Sequence, residues 1–391
     1  MRARIAVALA FAMTSVVSAP ACAFDLGEWV PGLKVSPFLS ERVDYETNVF
    51  QVPSHSQSSV IFKTIPGFVL DYTFGAHSLS AGYRAEILNY VSLSSQDNVH
   101  QIAAVQLRLD FPRTLINLRD DFIKTSDPPT TELTGPIIST TNVFKPDAEY
   151  RLTPRFSTGL GFTWRYVRFE DPSIADLIDR DEYIVTPSVY WKFNPRADVG
   201  LNFSYGRIIF TTSTDRDYTL YRPTISLRGD VTPRLSSGLR VGYEWRVPDD
   251  TDIENSGSGF FASGDLTYRP TERTTLTLAV DRSFQESTFE TTTFYTTSAV
   301  QLLAQHQLLP KVTVGARVGG GLNDYSSKQA NANGTFAFRQ DMFFVVGANV
   351  EYAIQRWLRV GVEYLRTSRS SNFAQFDFVD ERFTGRVTLQ F

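Results

Sequence analysis

Residues that could carry catalysis or bind a metal are few and scattered in this 391-residue sequence. The four histidines, His55, His77, His100 and His306, show none of the short spacings that metal sites use. No serine lies in a nucleophile-elbow motif, and residues 319–321 (Gly-Gly-Gly) have no following helix that could make them a phosphate loop. We therefore expect solvent-exposed histidines, no metal, no cofactor and no enzymatic activity. A hydrolase whose serine, histidine and acid meet only in the folded chain stays open.

Charged residues are distributed much more regularly than these candidates. From Leu235 to Arg246, apolar side chains occupy mainly the odd positions and polar ones the even positions, the period of a strand with one apolar face and one wet face. Eleven charged residues fall on the wet face of such stretches: Arg84, Glu86, Arg165, Arg240, Glu244, Arg246, Arg317, Arg359, Glu363, Arg382 and Arg386. Two interpretations remain open for them. They line a pore that attracts anionic or sugar solutes, or they pair with one another and stabilise the wall of a partly filled lumen.

A proline-containing turn recurs along the chain about every forty residues. The prolines at 112, 154, 195, 233, 270 and 310 follow one another at intervals of 42, 41, 38, 37 and 40 residues, each with Arg or Lys within three positions after it. Residues 75–77 and 355–357 extend the series in both directions. Proline fixes φ for a turn and cannot serve a central strand, so the sequence predicts eight tight turns.

Two strand-like stretches lie between neighbouring turns, joined by longer polar segments such as 126–140, 172–180, 248–258 and 326–335. Eight short turns and nine longer loops require eighteen strands. The predicted fold class is therefore all-β, a transmembrane up-and-down antiparallel β-barrel of about eighteen strands of the outer-membrane type. A soluble β-sandwich also alternates, but so many long hairpins in series exceed its usual size. A β-propeller would need four short strands in each repeat.

The first 23 residues predict export from the cytoplasm. Arg2 and Arg4 precede an apolar run too short to span a membrane, and Ala21-Cys22-Ala23 fits a cleavage site. We expect residues 1–23 to be a signal peptide, 24–32 a short periplasmic segment and 33–391 a barrel in the outer membrane of a Gram-negative cell. Cleavage would remove the only cysteine and leave 36 basic and 42 acidic residues. That balance speaks against nucleic acid as a partner.

The start of the barrel region resembles a known family. Residues 32–38 (Gly-Leu-Lys-Val-Ser-Pro-Phe) and 41–50 (Glu-Arg-Val-Asp-Tyr-Glu-Thr-Asn-Val-Phe) are similar to the opening of the β-barrel porin 2 family. Members of that family are often associated with exopolysaccharide systems, so the resemblance implies polymer export or surface anchoring. The last strand ends in Phe391 and resembles the signal that outer-membrane barrels present to their assembly machinery.

The predicted function is a non-enzymatic, porin-like barrel for passage or export of hydrophilic solutes, with exopolysaccharide as the polymer that the resemblance implies. Eighteen strands leave room for an aqueous channel. A barrel closed by inward loops with a structural or adhesive role, a receptor-like binder and an outer-membrane hydrolase are the alternatives. Expected partners are outer-membrane lipid and lipopolysaccharide, the barrel-assembly machinery and, for export, polysaccharide-export components. Residues 249–254 form an acidic segment, expected to be a solvated loop or a site for divalent cations.

Overall fold

The computed structural model describes residues 24–25, 30–128, 130–249, 256–289, 292–330 and 334–391. Residues 1–23, with the predicted signal peptide, lie outside these ranges. In the described part, eighteen strands form one closed antiparallel sheet in which each strand pairs with the next along the chain. The last strand pairs back with the first, from Arg382 opposite Glu46 to Gln390 opposite Phe38. The predicted fold class and the strand number are confirmed.

The strands are numbered here in chain order around the barrel. Their bounds are β1 Leu33–Glu46, β2 Ser59–Phe74, β3 His77–Tyr90, β4 Asn98–Asp110, β5 Thr114–Thr125, β6 Ser139–Arg151, β7 Phe156–Phe169, β8 Arg180–Asn194, β9 Ala197–Phe210, β10 Tyr218–Asp230, β11 Leu235–Pro248, β12 Gly257–Thr271, β13 Thr274–Glu286, β14 Phe294–Leu309, β15 Val312–Ala330, β16 Phe336–Ala353, β17 Leu358–Ser371 and β18 Phe378–Gln390. A two-residue strand, Phe24–Asp25, pairs with β1 at Val35 and Lys34.

The tight turns lie at the predicted positions, and the residue before the proline closes several of them. The Thr153 hydroxyl accepts a hydrogen bond from the backbone N–H of Phe156 at 3.0 Å, and Thr232 does the same for Leu235. Asn194 uses its side-chain oxygen in this way for Ala197 at 2.7 Å. Such side chains satisfy backbone groups that a turn leaves unpaired, which explains why Thr or Asn precedes Pro-Arg at three of the turns.

Strand lengths range from 12 residues in β5 to 19 residues in β15. The predicted loop 326–335 is therefore strand over its first half, up to Ala330. The apolar side chains of alternate positions face outward, as the sequence predicts: Leu201, Ile225 and Val362 are more than half exposed on the outer surface.

The long loops carry the remaining regular structure. Helix α1, Pro172–Ile178, begins after Asp171, whose side chain accepts the N–H of Ser173, and Pro172 occupies the first turn, where no donor is needed. Single 3-10 turns occupy Ser94–Gln96, Thr214–Arg216 and Ala374–Phe376. No helix in the described ranges is long and apolar enough to cross a membrane.

Candidate functional site: the lumen and its long-loop mouth

The eleven predicted charged residues lie on the inner face of the barrel, and several pair directly with one another. Arg84 contacts Glu86 at 2.8 Å and Arg246 contacts Glu244 at 3.2 Å. Arg317 on β15 forms an ion pair with Glu363 on β17. The first two pairs are i, i+2 neighbours on one strand, whose side chains share a face, and the third spans β16.

The other predicted arginines use carboxylates that sequence reasoning did not single out. Arg165 contacts Glu182 at 3.5 Å, and Arg382 contacts Glu46 at 3.0 Å. Glu351 on β16 serves both Arg386 at 2.8 Å and Arg359 at 3.9 Å. Arg240 is exposed on the inner face of β11, opposite Ser226 and Ser263.

A buried charge cluster in β1 and β2 was also missed. Asp44 is fully buried and contacts Arg42 at 2.6 Å and Lys63 at 3.2 Å. All three side chains share the inward parity of their strands, so the alternation was available as a signal. Only the pairing of β1 with β2 brings Lys63 to Asp44, and no sequence spacing gives that register.

Loop 126–138, between β5 and β6, crosses the mouth of the barrel. Asn323 on β15 donates to the Thr131 hydroxyl at 2.7 Å, and Arg369 on β17 donates to the backbone carbonyls of Thr131 and Glu132 at 2.8 and 3.1 Å. In a ring of eighteen strands, β15 lies about halfway round from β5 and β6. The loop is therefore bonded to the opposite wall and narrows the lumen at the long-loop end.

A second segment folds inward from β13 and β14. Pairing of β12 with β13 stops at Ala262 opposite Arg282, although both strands continue. A Cβ on Gly257 would lie 2.7 Å from the Phe294 ring, so that ring packs on the inner surface of β12. Arg246 holds this hairpin end through Glu286 at 2.8 Å. The end of the β13–β14 hairpin thus lies inside the barrel.

The two inward segments meet in the mouth. The Glu132 carboxylate of loop 126–138 accepts hydrogen bonds from the Ser287 hydroxyl at 2.7 Å and from the backbone N–H of Thr288 at 2.7 Å. Arg216, from the loop before β10, donates to the carbonyls of Ser287 and Phe289. Burial raises the pKa of Glu132, while its hydrogen bonds and the nearby Arg339 lower it less.

An apolar cluster supports the inward loop from the other side. Leu133 packs with Val167 and Phe169 of β7 and with Ile178 of α1. Burial of such a side chain contributes about 1.5–3 kcal/mol. Apolar packing and hydrogen bonds therefore hold loop 126–138 at both sides of the barrel.

His100 differs from the expectation of an exposed histidine, because it is 1% exposed. Its Nε2 lies 2.8 Å from the Ser126 hydroxyl and 3.0 Å from the Ser126 backbone nitrogen, which donates to it. Its Nδ1 lies 3.6 Å from Glu86. The order serine, histidine, acid is that of a hydrolase triad. Ser126 is, however, only 3% exposed. We assign the three side chains to anchoring the root of loop 126–138.

The remaining predicted candidates take no part in these contacts. His55 and His306 are exposed, and His77 is half-buried at a tight turn. Within the described ranges, no three His, Cys, Asp or Glu side chains group as a metal site. Asp249 pairs with Arg207 on the outer face. Residues 250–254 of the acidic segment lie outside the described residues.

Phe391 lies at the short-turn end. Its backbone nitrogen donates to the carbonyl of Pro37 at 3.0 Å, and its ring stacks on Trp357 with centroids 6.4 Å apart. The chain end is thus fixed to both neighbouring strands. Its role as an assembly signal stays a prediction.

Comparisons with known proteins find solved structures that are similar to this chain over most of its length. Among solved structures, Pseudomonas aeruginosa OpdK is 14% identical with a TM-score of 0.48, and the match covers 91% of this chain and 99% of that chain. P. aeruginosa OccK2 (OpdF), in complex with glucuronate, is 11% identical with a TM-score of 0.49, and the match covers 92% of this chain and 98% of that chain. Acinetobacter baumannii OccAB4 is 9% identical with a TM-score of 0.46, and the match covers 91% of this chain and 98% of that chain. At such identities and scores, the ligands of those proteins have no bearing on this chain.

No curated protein matches the sequence. A family model described as "Putative beta-barrel porin 2" matches residues 26–391, nearly the whole chain. The chain therefore belongs to that family and is a porin-like β-barrel of the outer membrane.

Proposed function

We propose that the barrel passes hydrophilic, mainly anionic solutes across the outer membrane through a lumen narrowed at its long-loop end. The observation that carries this proposal is a track of arginines along one side of the lumen. Arg359 and Arg386 lie toward the short-turn end, Arg317 and Arg42 lie above them, and Arg369 reaches the inward loop. These arginines lie on β15, β17, β18 and β1. Together with β16, these strands form one continuous part of the wall around the closure of the barrel.

Ion pairing does not exhaust these side chains. A guanidinium has five N–H donors, and a carboxylate engages only part of them. Arg42 and Arg386 keep roughly a quarter to a third of their side-chain surface exposed to the lumen. An anion can therefore bind the exposed donors of Arg42 and Arg386 while the wall stays paired, and the buried Arg317 and Arg369 add positive charge beside its path.

Export of exopolysaccharide is the finer form of this proposal, and its support is the family's association with such systems. An acidic polymer suits the same track. A chain of sugars is wide, however, so loop 126–138 must leave the opposite wall while the polymer passes. Replacing Arg369 by alanine, which removes its two hydrogen bonds to the loop, should then increase both conductance and polymer release.

The hydrogen bonds across the mouth also favour a second candidate, a closed barrel with a structural or receptor-like role. Single-channel recordings in planar bilayers separate the two. A conducting wild type supports passage of solutes. A barrel that inserts, folds and shows no current supports the closed barrel.

Selectivity tests the track itself. Changing Arg42, Arg359 and Arg386 to glutamine removes three positive charges of the track. The reversal potential in a salt gradient should shift toward cations, and less so at 1 M salt, where the Debye length falls to about 3 Å. The matched control replaces Arg168 and Arg366, which lie on the outer face, by glutamine. It should leave the ion selectivity unchanged. An equal shift in both sets would contradict a pore-lining role.

A further inference from the structure

A carboxylate lies on the lipid side of the barrel at mid-height. Asp120 has six residues of β5 before it and five after it. It shares its face with Leu118 and Phe122, and it pairs opposite Val105 on β4 and Phe144 on β6. The alternate residues of β5, Arg119 and Asp121, form an ion pair on the lumen side. Asp120 therefore faces the apolar band of the membrane.

Asn142 on β6 accompanies Asp120 on this face and donates a hydrogen bond to it at 2.9 Å. Ionisable and polar groups within a membrane are costly and usually face protein rather than lipid. The outward ion pairs Arg168–Asp181 and Arg207–Asp249 lie at the long-loop ends of their strands, where water and lipid headgroups are in reach. Asp120 and Asn142 lie deeper than these pairs.

Small side chains lie to one side of this polar pair. Ala103 lies beside it on β4, and Ala81 and Ala85 lie on the same outer face of β3. By contrast, β9 and β10 carry large outward side chains, Leu201 and Ile225, which are 65% and 54% exposed. Small residues let another protein surface approach closely, which is the usual composition of contacts inside membranes.

We infer that the outer face of β4–β6, centred on Asp120 and Asn142, is the contact surface for a second copy of this chain. The pair is complementary to itself. After their mutual hydrogen bond, the Asn142 amide retains a second N–H donor and the Asp120 carboxylate retains a second acceptor oxygen.

Two copies in one membrane have the same orientation, so a two-fold axis along the membrane normal relates them. This axis brings the donor of each copy toward the acceptor of the other, as an isologous contact requires. A lipid chain offers neither group a partner, and a different protein would need a matching pair of its own.

Cross-linking in native outer membranes tests the contact. With Cys22→Ser as background, Leu118→Cys places a thiol two residues from Asp120, and Leu201→Cys places one on β9 as the control. Oxidation with copper phenanthroline should give at least tenfold more covalent dimer for position 118. Equal yields, or none at either position, overturn the inference. Disulfide linkage of position 118 to another protein overturns it as well.

Mass measurements in mild detergent give an independent readout. Ala103→Trp should convert a dimer to a monomer, whereas Ala316→Trp, a matched alanine on the outer face of β15, should leave the dimer intact. Replacing Asp120 and Asn142 together by leucine distinguishes the two neighbours. If the pair lies at a protein contact, the double variant forms a weaker dimer, which dissociates at a several-fold higher protein concentration than the wild type. If the pair faces lipid, the mass is unchanged and the barrel unfolds at a higher temperature.

Discussion

At the scale of single residues, Glu132 shows how the folded barrel changes a side chain's chemistry. It is 5% exposed, although it belongs to a loop, and accepts three hydrogen bonds from Ser287 and Thr288. Burial raises its pKa above the usual value of 4.5, because the charged form loses its hydration. Arg339 and the hydrogen bonds oppose this effect. Tyr295 and Tyr325 also face the carboxylate.

This shift predicts that the loop contact depends on pH. Because the pKa is raised in the folded loop, the stabilising contribution is fully present below about pH 4.5 and is lost as pH rises through the raised value. Hydrogen exchange of the amides of residues 130–133, corrected for intrinsic rates, should therefore speed up from acid toward neutral pH. Glu132→Gln cannot ionise and should remove this dependence.

Glu170→Gln is the control, since Glu170 is half exposed at the rim and pairs with Lys124. It should leave the pH profile of the loop as in the wild type. A Glu132→Gln profile that follows the wild type would show that another group governs the loop.

At the scale of elements, β15 depends on close backbone contact. A Cβ on Gly321 would lie 2.3 Å from the carbonyl oxygen of Ser298 on β14 and 2.6 Å from the ring of Phe343 on β16. The neighbouring strands must move to admit it. Gly385 on β18 differs, because a Cβ there meets nothing within 4 Å.

These two glycines predict opposite outcomes for the same substitution. Gly321→Ala should destabilise the barrel by about 1–3 kcal/mol through overpacking. Gly385→Ala should have little effect. The temperature at which the folded band is lost in a heat-modifiability gel measures both. A Gly385→Ala barrel that is as labile as Gly321→Ala would place the strain elsewhere.

At the scale of the whole molecule, β18 pairs with β1, and both the start of β1 and the end of β18 lie on the short-turn side of the barrel. A chain exported through the inner membrane and inserted from the periplasm leaves that side periplasmic and the long loops outside. Single cysteines at His55 and Ser95, both exposed in long loops, should react with a membrane-impermeant thiol reagent on intact cells.

Cysteines at Thr153 and Thr232 in the short turns should react only after the outer membrane is permeabilised. The reversed pattern would mean that the barrel has the opposite orientation. Comparable labelling of unfolded protein at all four positions is the control for thiol reactivity.

The sequence alone determined the features that repeat locally. Alternation gives each strand an apolar face and a wet face, which places Arg317 and Glu363 on the inner side of the barrel. The threonine of Thr-Pro-Arg closes a turn with its own side chain. Strand number, turn positions and the inward parity of charged residues therefore follow from residues that are neighbours along the chain.

Only the tertiary structure decided the long-range features. Loop 126–138 reaches the opposite wall because closure of eighteen strands places Arg369 there, and His100 is buried because Ser126 returns over it. Asp120 meets Asn142 through the register of β5 with β6. Such contacts join residues distant along the chain, so they follow from closure and register, which local periodicity does not encode.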